Sequence, residues 1–276
     1  MSLVGAGPGD PELLTIRAVR RLQDANVVLY DALVSHAILK LAPLARCLCV
    51  GKRAGGDGVP QAAINRLMRR SARRGERVVR LKCGDPFVLG RGGEEALALA
   101  SEGIAVEIVP GISAAIAAPA LAGIPVTHRG LTSGFVVISG HAEEAYRAVV
   151  DSLAPGSLTL VVLMGLAARR AIARALLDRG WRGRTPAAVL RGASRPDATT
   201  WIGTLRDLAT MSVDGSESAP GTIVIGDVVG IGASLGWRSP DVPAALQVDG
   251  AACFESVLHF GSASLLGERQ RDRTLG

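Results

Sequence analysis

Short apolar runs alternating with helix-length segments constrain the first half of this chain more than any other feature. The runs lie at residues 2–4, 26–30, 46–50, 78–81 and 104–109. Such alternation favours βαβ units, in which neighbouring strands lie parallel and helices cover the sheet. The segment 61–74 shows the helical period best: Ile64, Leu67, Met68, Ser71 and Ala72 fall on one face, and Arg66, Arg69, Arg70, Arg73 and Arg74 on the other. Those arginines read as a solvated face, several of them near the helix C-terminus, where the dipole favours cations.

A second series follows at 135–139, 158–163, 186–190, 199–203 and 222–225. Its fourth run comes too soon after the third for a crossover helix, so antiparallel pairs are expected there. The expected fold class is α/β with two α/β domains, 1–127 and 128–237, broken near 127–133. A tail without periodicity occupies 238–276. At 276 residues the chain is long enough for both cores.

Aromatic residues are few, so those cores must be built from Ala, Val, Leu and Ile. The net charge is +6 and nearly all the cations are arginine. Guanidinium forks suit carboxylate or phosphate ligands, although a genomic bias toward Arg explains composition equally well. The arginines are scattered and not interleaved with aromatics, which argues against nucleic acid. Cys47, Cys49, Cys83 and Cys253 form no CxxC pair, so neither a metal site nor a disulfide framework is expected. The opening MSLVGAGPGD lacks a basic leader, which points to a reducing, cytoplasmic compartment. Residues 108–126 are uncharged for the length of a membrane span. Pro110, Pro119 and Pro125 with Gly111 and Gly123 divide them into strand end, loop, short helix and exit, so no membrane segment is expected.

Several loops carry more special residues than packing demands. Residues 4–11, VGAGPGDP, follow the first strand as a dinucleotide loop would, but Asp10 stands where the third glycine is needed. Asp10 and Pro11 form an N-cap and first-turn pair, which places a carboxylate where a pyrophosphate would sit. That argues against a nicotinamide-dependent oxidoreductase. Residues 78–95, VVRLKCGDPFVLGRGGEE, run from a strand into a glycine-dense loop and a helix start, the position where open α/β sheets hold ligands. Asp31 ends the second strand, and Lys52 with Arg53 follows the third. An acid and a base at successive strand ends can serve as a proton-transfer or anchoring pair, or can be surface charges, with Asp31 capping a helix near Leu33. In 110–119, Ser113 and Ala114 open a helix whose free N–H groups can hold a carboxylate or ring edge. His128 and Arg129 lie at the inferred domain junction, and Met164 sits in a loop after a strand.

In order along the chain, VGAGPGDPELLT, YDALVS, GKRAG, VPQAAIN, VVRLKCGDPFVLGRGGEE, VPGISAAIAAPALAGIPVTHRG, the LMG loop and PGTIVIGDVV resemble the tetrapyrrole methylase family from Leu3 to about Trp237. The resemblance implies a homodimer of two α/β domains with S-adenosyl-L-methionine held in the cleft between them. It implies transfer of two methyl groups to C2 and C7 of uroporphyrinogen III, giving precorrin-2 for sirohaem, cobalamin or haem d1 and releasing S-adenosyl-L-homocysteine. A later corrin-ring methylase and a catalytically weakened homologue are the alternatives. The substrate carries eight carboxylates, which suits an arginine-rich cleft. S-adenosylmethionine has no phosphate, which suits a first loop ending in Asp10. Fused relatives also oxidise precorrin-2 and insert iron, and those steps are expected from another chain.

Carried over by residue, the resemblance places the cofactor against Pro8, Cys83, Gly84, Asp85, Val88, Ser113, Ala114, Met164, Ala193 and Gly221. Asp31 corresponds to a proton acceptor and Lys52 to a proton donor. Arg91 and Glu94 fall on the substrate side, Arg91 among the catalytic groups, and Arg129 is positioned to bind a substrate carboxylate. Two positions depart from the family pattern: Cys83 replaces a glycine of LKGGDP, and Gly192-Ala193-Ser194 replaces NGT. If position 83 needs positive φ, its side chain costs about 1–2 kcal/mol and lowers cofactor affinity.

Overall fold

The computed structural model describes residues 1–51, 59–212 and 220–234. The chain divides into two compact units. One holds Met1–Ala118 with Gly192–Ala198, and the other holds Pro119–Arg191 and the described chain from Thr199 onward, apart from Pro220, which belongs to the first.

The first unit contains β1 (Ser2–Gly5), α1 (Ile16–Gln23), β2 (Val27–Tyr30), α2 (His36–Leu39), β3 (Arg46–Cys49), α3 (Gln61–Arg73), β4 (Val78–Lys82), α4 (Gly92–Ala100) and β5 (Glu107–Val109). Next comes α5 (Ala114–Leu121). The five strands form one all-parallel sheet in the order β3-β2-β4-β1-β5, as the alternation of runs and helices predicts. Both faces of its central strands are buried. Val28, Val79, Leu81 and Val4 pack with Ala18 and Leu22 of α1 and Ile38 of α2. Val27, Leu29 and Val78 pack on the other face with Ile64 and Met68 of α3 and Leu99 of α4. Helices on both faces explain why these strands read as continuous apolar runs rather than alternating ones.

That alternation has one consequence for the site. Arg80 and Lys82 share a face with Val78, because side chains on a strand repeat every two residues. They therefore point beneath α3 and α4, where Gln61 and Glu95 are placed to meet them.

The second unit contains β6 (Phe135–Ser139), α6 (Glu143–Ser152), β7 (Thr159–Leu163), α7 (Arg169–Asp178), β8 (Pro186–Arg191), β9 (Thr199–Thr204), α8 (Leu205–Thr210), β10 (Gly221–Ile225) and α9 (Val229–Ser234). Its sheet runs β6-β7-β10-β8-β9. β6 and β7 are parallel, and the other pairs are antiparallel, as the short spacing between 190 and 199 requires. A core of Leu160, Val162, Ile172, Leu176, Val189, Leu205, Leu208 and Ile223 fills the space between this sheet and its helices. Among the described residues no helix is long and apolar enough to cross a membrane, and no His, Cys, Asp or Glu cluster could hold a metal ion.

Candidate functional site

Parallel strands aim their C-terminal ends at one edge of the sheet, so the loops after β1, β4 and β5 gather there in the first unit. They meet at distances only glycine allows. A Cβ on Gly5 would lie 2.5 Å from Gly111 N and 2.6 Å from the Gly84 carbonyl oxygen. Gly7 and Gly84 exchange backbone hydrogen bonds, the Gly84 N–H donating to Gly7 O at 2.8 Å and the Gly7 N–H to Gly84 O at 3.2 Å. Asp85 ties the third loop on: Oδ1 accepts from Phe87 N–H at 2.8 Å and Oδ2 from Gly111 N–H at 3.0 Å. Both its oxygens are thus engaged in holding loops together.

This arrangement brings Gly84, Ser113 and Ala114 side by side, the missing Cβ of Gly84 lying 3.6 Å from Ser113 Cα and 3.8 Å from Ala114 N. Ser113 precedes α5 and its Oγ accepts from Ala115 N–H at 3.2 Å, so one of the helix's free donors is already satisfied. The segment Gly192–Ala198 returns to the same unit. The Asp10 N–H donates to Ser194 Oγ at 3.0 Å, and the Arg195 guanidinium donates to Leu33 O at 2.8 Å. Pro8 and Ala193 are near neighbours in sequence of Asp10 and Ser194. Ser194 holds φ of 67°, a left-handed conformation that a non-glycine residue keeps only when its surroundings fix it.

Three expectations need correction. Asp10 does act as an N-cap, accepting from Glu12 N–H at 2.9 Å, but what it caps is the three-residue 3-10 turn Pro11–Leu13. The α-helix starts later, at Ile16, with Thr15 as its own cap. The second correction concerns Cys83, which is not among the residues with positive φ. Gly84, the next residue, takes that conformation at 65°. The strain expected from Cys83 is therefore absent, and lower cofactor affinity does not follow from backbone conformation. The half-buried Cys83 side chain packs against the core of the first sheet, and burial, with a smaller contribution from Asp31, pushes its thiol up to about 12. At pH 8 about one part in ten thousand would be thiolate, the form that reacts with alkylating agents. Peptide mapping after iodoacetamide treatment of the folded protein should find the exposed Cys47 and Cys49 modified and Cys83 intact. Modification of Cys83 as fast as those two would contradict this burial.

Asp31 does not cap a helix near Leu33. The next helix is α2, with Ser35 as its N-cap residue. The Asp31 carboxylate instead accepts from Arg80 Nη2 at 2.5 Å. Arg80 donates from Nε to Glu95 Oε1 at 3.1 Å, and from Nη1 to the carbonyls of Leu29 at 3.3 Å and Leu81 at 3.2 Å. Lys82 Nζ lies 3.2 Å from Glu95 Oε2 and 4.0 Å from Asp31 Oδ2. The former is an ion pair without an aligned hydrogen bond. The side chains of Arg80, Lys82 and Glu95 are 3, 5 and 1 % exposed, and that of Asp31 is 28 % exposed. Two cations and two anions thus form a cluster closed on three sides and open at Asp31. Sequence reasoning passed over Arg80 and Lys82, although two cations at i and i+2 in an otherwise apolar strand are a signal that could have found them.

Other candidate residues are not members of this cluster. Arg91 and Glu94 pair with each other, Nη2 to Oε2 at 2.6 Å, on an exposed surface. The Arg91 hydrogen bond holds the Glu94 carboxyl below its usual range. Val88 is exposed within the Phe87–Val88–Leu89 tip of the same loop. Met164 and Gly221 belong to the second unit. Met164 is exposed with φ of 56°, and Gly221 begins β10 where a Cβ would press on Leu166 at 2.6 Å. Arg129 is exposed in the turn closed by the His128–Thr132 bridge. Lys52 and Arg53 lie outside the described residues.

A parallel sheet with glycine loops and a part-open ionic cluster at its carboxyl edge is the arrangement in which α/β proteins place small-molecule ligands. Residues 1–209 match the family model for Tetrapyrrole (Corrin/Porphyrin) Methylases. The chain belongs to that family. It is 45% identical over 244 residues to the S-adenosyl-L-methionine-dependent uroporphyrinogen III methyltransferase of Methanosarcina barkeri, covering 87% of this chain and 96% of that protein. It is 48% identical over 241 residues to a siroheme synthase of Neisseria meningitidis, covering 86% of this chain and 49% of that protein. The chain therefore spans about half the length of the siroheme synthases it matches. Among solved structures, uroporphyrin-III C-methyl transferase from Thermus thermophilus complexed with S-adenyl homocysteine aligns with a TM-score of 0.70 at 42% identity, over 83% of this chain and 97% of that one.

Proposed function

We propose that the chain is an S-adenosyl-L-methionine-dependent C-methyltransferase that converts uroporphyrinogen III to precorrin-2 by methylation at C2 and C7. The observation that carries this reading is the identity to the Methanosarcina enzyme, which extends over nearly all of that protein.

The residues present fit the cofactor. Gly84, with no Cβ and positive φ, opens a space beside Ser113 and the Ala114 N–H that a side chain would fill. The first loop presents Asp10 rather than a phosphate-accepting glycine, which suits a ligand without phosphate. Pro8, Cys83, Gly84, Asp85, Val88, Ser113, Ala114 and Ala193 in the first unit, with Met164 and Gly221 in the second, are the proposed cofactor-binding residues. Asp85 acts among them by fixing the loop. When bound, the cofactor supplies an electrophilic methyl group on sulfonium.

Catalysis then rests on holding the pyrrole carbon in line and removing one proton afterwards. Asp31 takes that proton, Lys52 donates, and Arg91 with Glu94 and Arg129 engages the substrate's charged rim. An arginine that already has a carboxylate partner can exchange it for a substrate carboxylate, which suits the exposed Arg91–Glu94 pair. The enzyme would act in the cytoplasm as a homodimer, without a nucleic-acid or membrane partner. The exposed apolar tip Phe87–Leu89 supports a contact with substrate or with a second copy. The siroheme synthase relatives support sirohaem as an end product.

The test is to incubate purified protein with methyl-labelled S-adenosylmethionine and uroporphyrinogen III and count labels in the product. Two methyls per macrocycle are expected. One methyl would assign a single-site methylase, and none, with S-adenosylhomocysteine still bound, would assign a weakened homologue.

A further inference from the structure

We infer that Arg80 is a positioning residue for proton removal: buried and clamped by Glu95, it fixes the Asp31 carboxylate with Oδ1 occupied and Oδ2, which has no hydrogen-bond partner among the described residues, left to receive the substrate's proton. This rests on the reading of Asp31 as the proton acceptor.

The geometry supports a clamp rather than a casual pair. The Arg80 guanidinium is tied at Nε to Glu95, at Nη1 to two backbone carbonyls and at Nη2 to Asp31, so it cannot swing. Glu95 is itself fixed by Gln61 Nε2, which donates to Oε1 at 3.2 Å. Asp31 Oδ1 is engaged at 2.5 Å, whereas Oδ2 has Lys82 Nζ at 4.0 Å, beyond hydrogen-bond reach. In the step assigned to Asp31, a C–H bond of the methylated macrocycle breaks, its electron pair stays in the ring system, and the proton forms an O–H bond at Oδ2. Arg80 stays protonated throughout. A planar fork can bridge Asp31 and Glu95 at once, and a lysine ammonium in its place cannot reproduce that bridge.

The test is a double-mutant cycle with Arg80→Lys, Asp31→Asn and their combination. Turnover and KM for uroporphyrinogen III are measured alongside S-adenosylhomocysteine affinity and binding stoichiometry by calorimetry. Referring turnover to protein that binds S-adenosylhomocysteine removes any loss from misfolding. Arg80→Lys should lower kcat about tenfold or more while KM and the calorimetric affinity stay within about twofold. Combined with Asp31→Asn it should add less than about twofold, because both changes remove one function. An Arg80→Lys loss of the same factor in both backgrounds, or one expressed in KM alone, would overturn the positioning role and leave Asp31 as the acceptor. Full kcat in Asp31→Asn alone would overturn the acceptor role and the inference with it. If Arg80→Lys yields no soluble protein, Glu95→Gln enters the same cycle with the same expectations.

Discussion

Replacing Glu95 with alanine is expected to cost about 3–5 kcal/mol of stability, read from the urea unfolding midpoint by circular dichroism. Glu95 is 1 % exposed and faces two cations that are themselves nearly inaccessible. In the intact cluster Arg80 and Lys82 are balanced by Glu95 and Asp31, so no net charge is buried. Removing Glu95 leaves two cations against one part-exposed carboxylate, and the uncompensated charge must be solvated by a site built to exclude water. Glu94, one residue earlier, provides the control. It pairs with Arg91 on the exposed side of α4, so Glu94→Ala should leave the unfolding curve unmoved. A Glu95→Ala midpoint that matched the Glu94→Ala one would show that the cluster is well hydrated. A buried ion pair is seldom more stabilising than apolar residues of the same volume. Stability alone therefore does not account for placing four charges under α3 and α4, whereas orienting Asp31 does.

The sheet orders follow from features visible in the sequence, and the exceptions have local causes. The run at 104–109 becomes a strand only over Glu107–Val109, because Ile104 N–H bonds to Leu99 O and residues 104–106 finish α4's exit. Leu67, on the predicted apolar face of α3, is 37 % exposed, since Ile64 and Met68 fill the space against the sheet. Asp10 was legible as a cap, but its short 3-10 turn was not, because the period of three residues leaves no pattern over such a length. At Cys83 the neighbouring glycine takes the left-handed turn, so a substitution that reads as strained is tolerated. The site was legible where it is local, in the loop from Gly84 to Glu95. Where distant segments meet, as in the contact from Asp10 to Ser194 across 184 positions, periodicity and spacing announce nothing, and only the family resemblance set Pro8 and Ala193 against one ligand. Arg80 and Lys82 were hidden for another reason. Their partners, Asp31 and Glu95, come from other segments, and the pairing exists only once the strand is buried beneath its helices.

Gly111→Ala should be among the most damaging single methyl groups that can be added where the three loops meet. Its Cβ would lie 2.3 Å from the Gly84 carbonyl oxygen and 2.7 Å from Gly5 Cα. Every neighbour is backbone in a parallel sheet or its loops, so no side chain can turn aside and the loops themselves must part. Overpacking of this kind costs about 3 kcal/mol. The displacement falls on Gly84 and on the amide that Asp85 grips, so it also disturbs the proposed cofactor loop, where a shift of about 1 Å is enough to lower turnover about a hundredfold. Gly93→Ala makes the same chemical change within α4, where nothing lies within 4 Å of the added carbon. There the helix should gain up to about 1 kcal/mol from alanine's better propensity. The two variants should therefore move the thermal midpoint in opposite directions, and only Gly111→Ala should weaken S-adenosylhomocysteine binding in calorimetry. Equal midpoints would mean that the three loops yield easily, and close approach of Gly5, Gly84 and Gly111 would then no longer explain why glycine stands at all three positions.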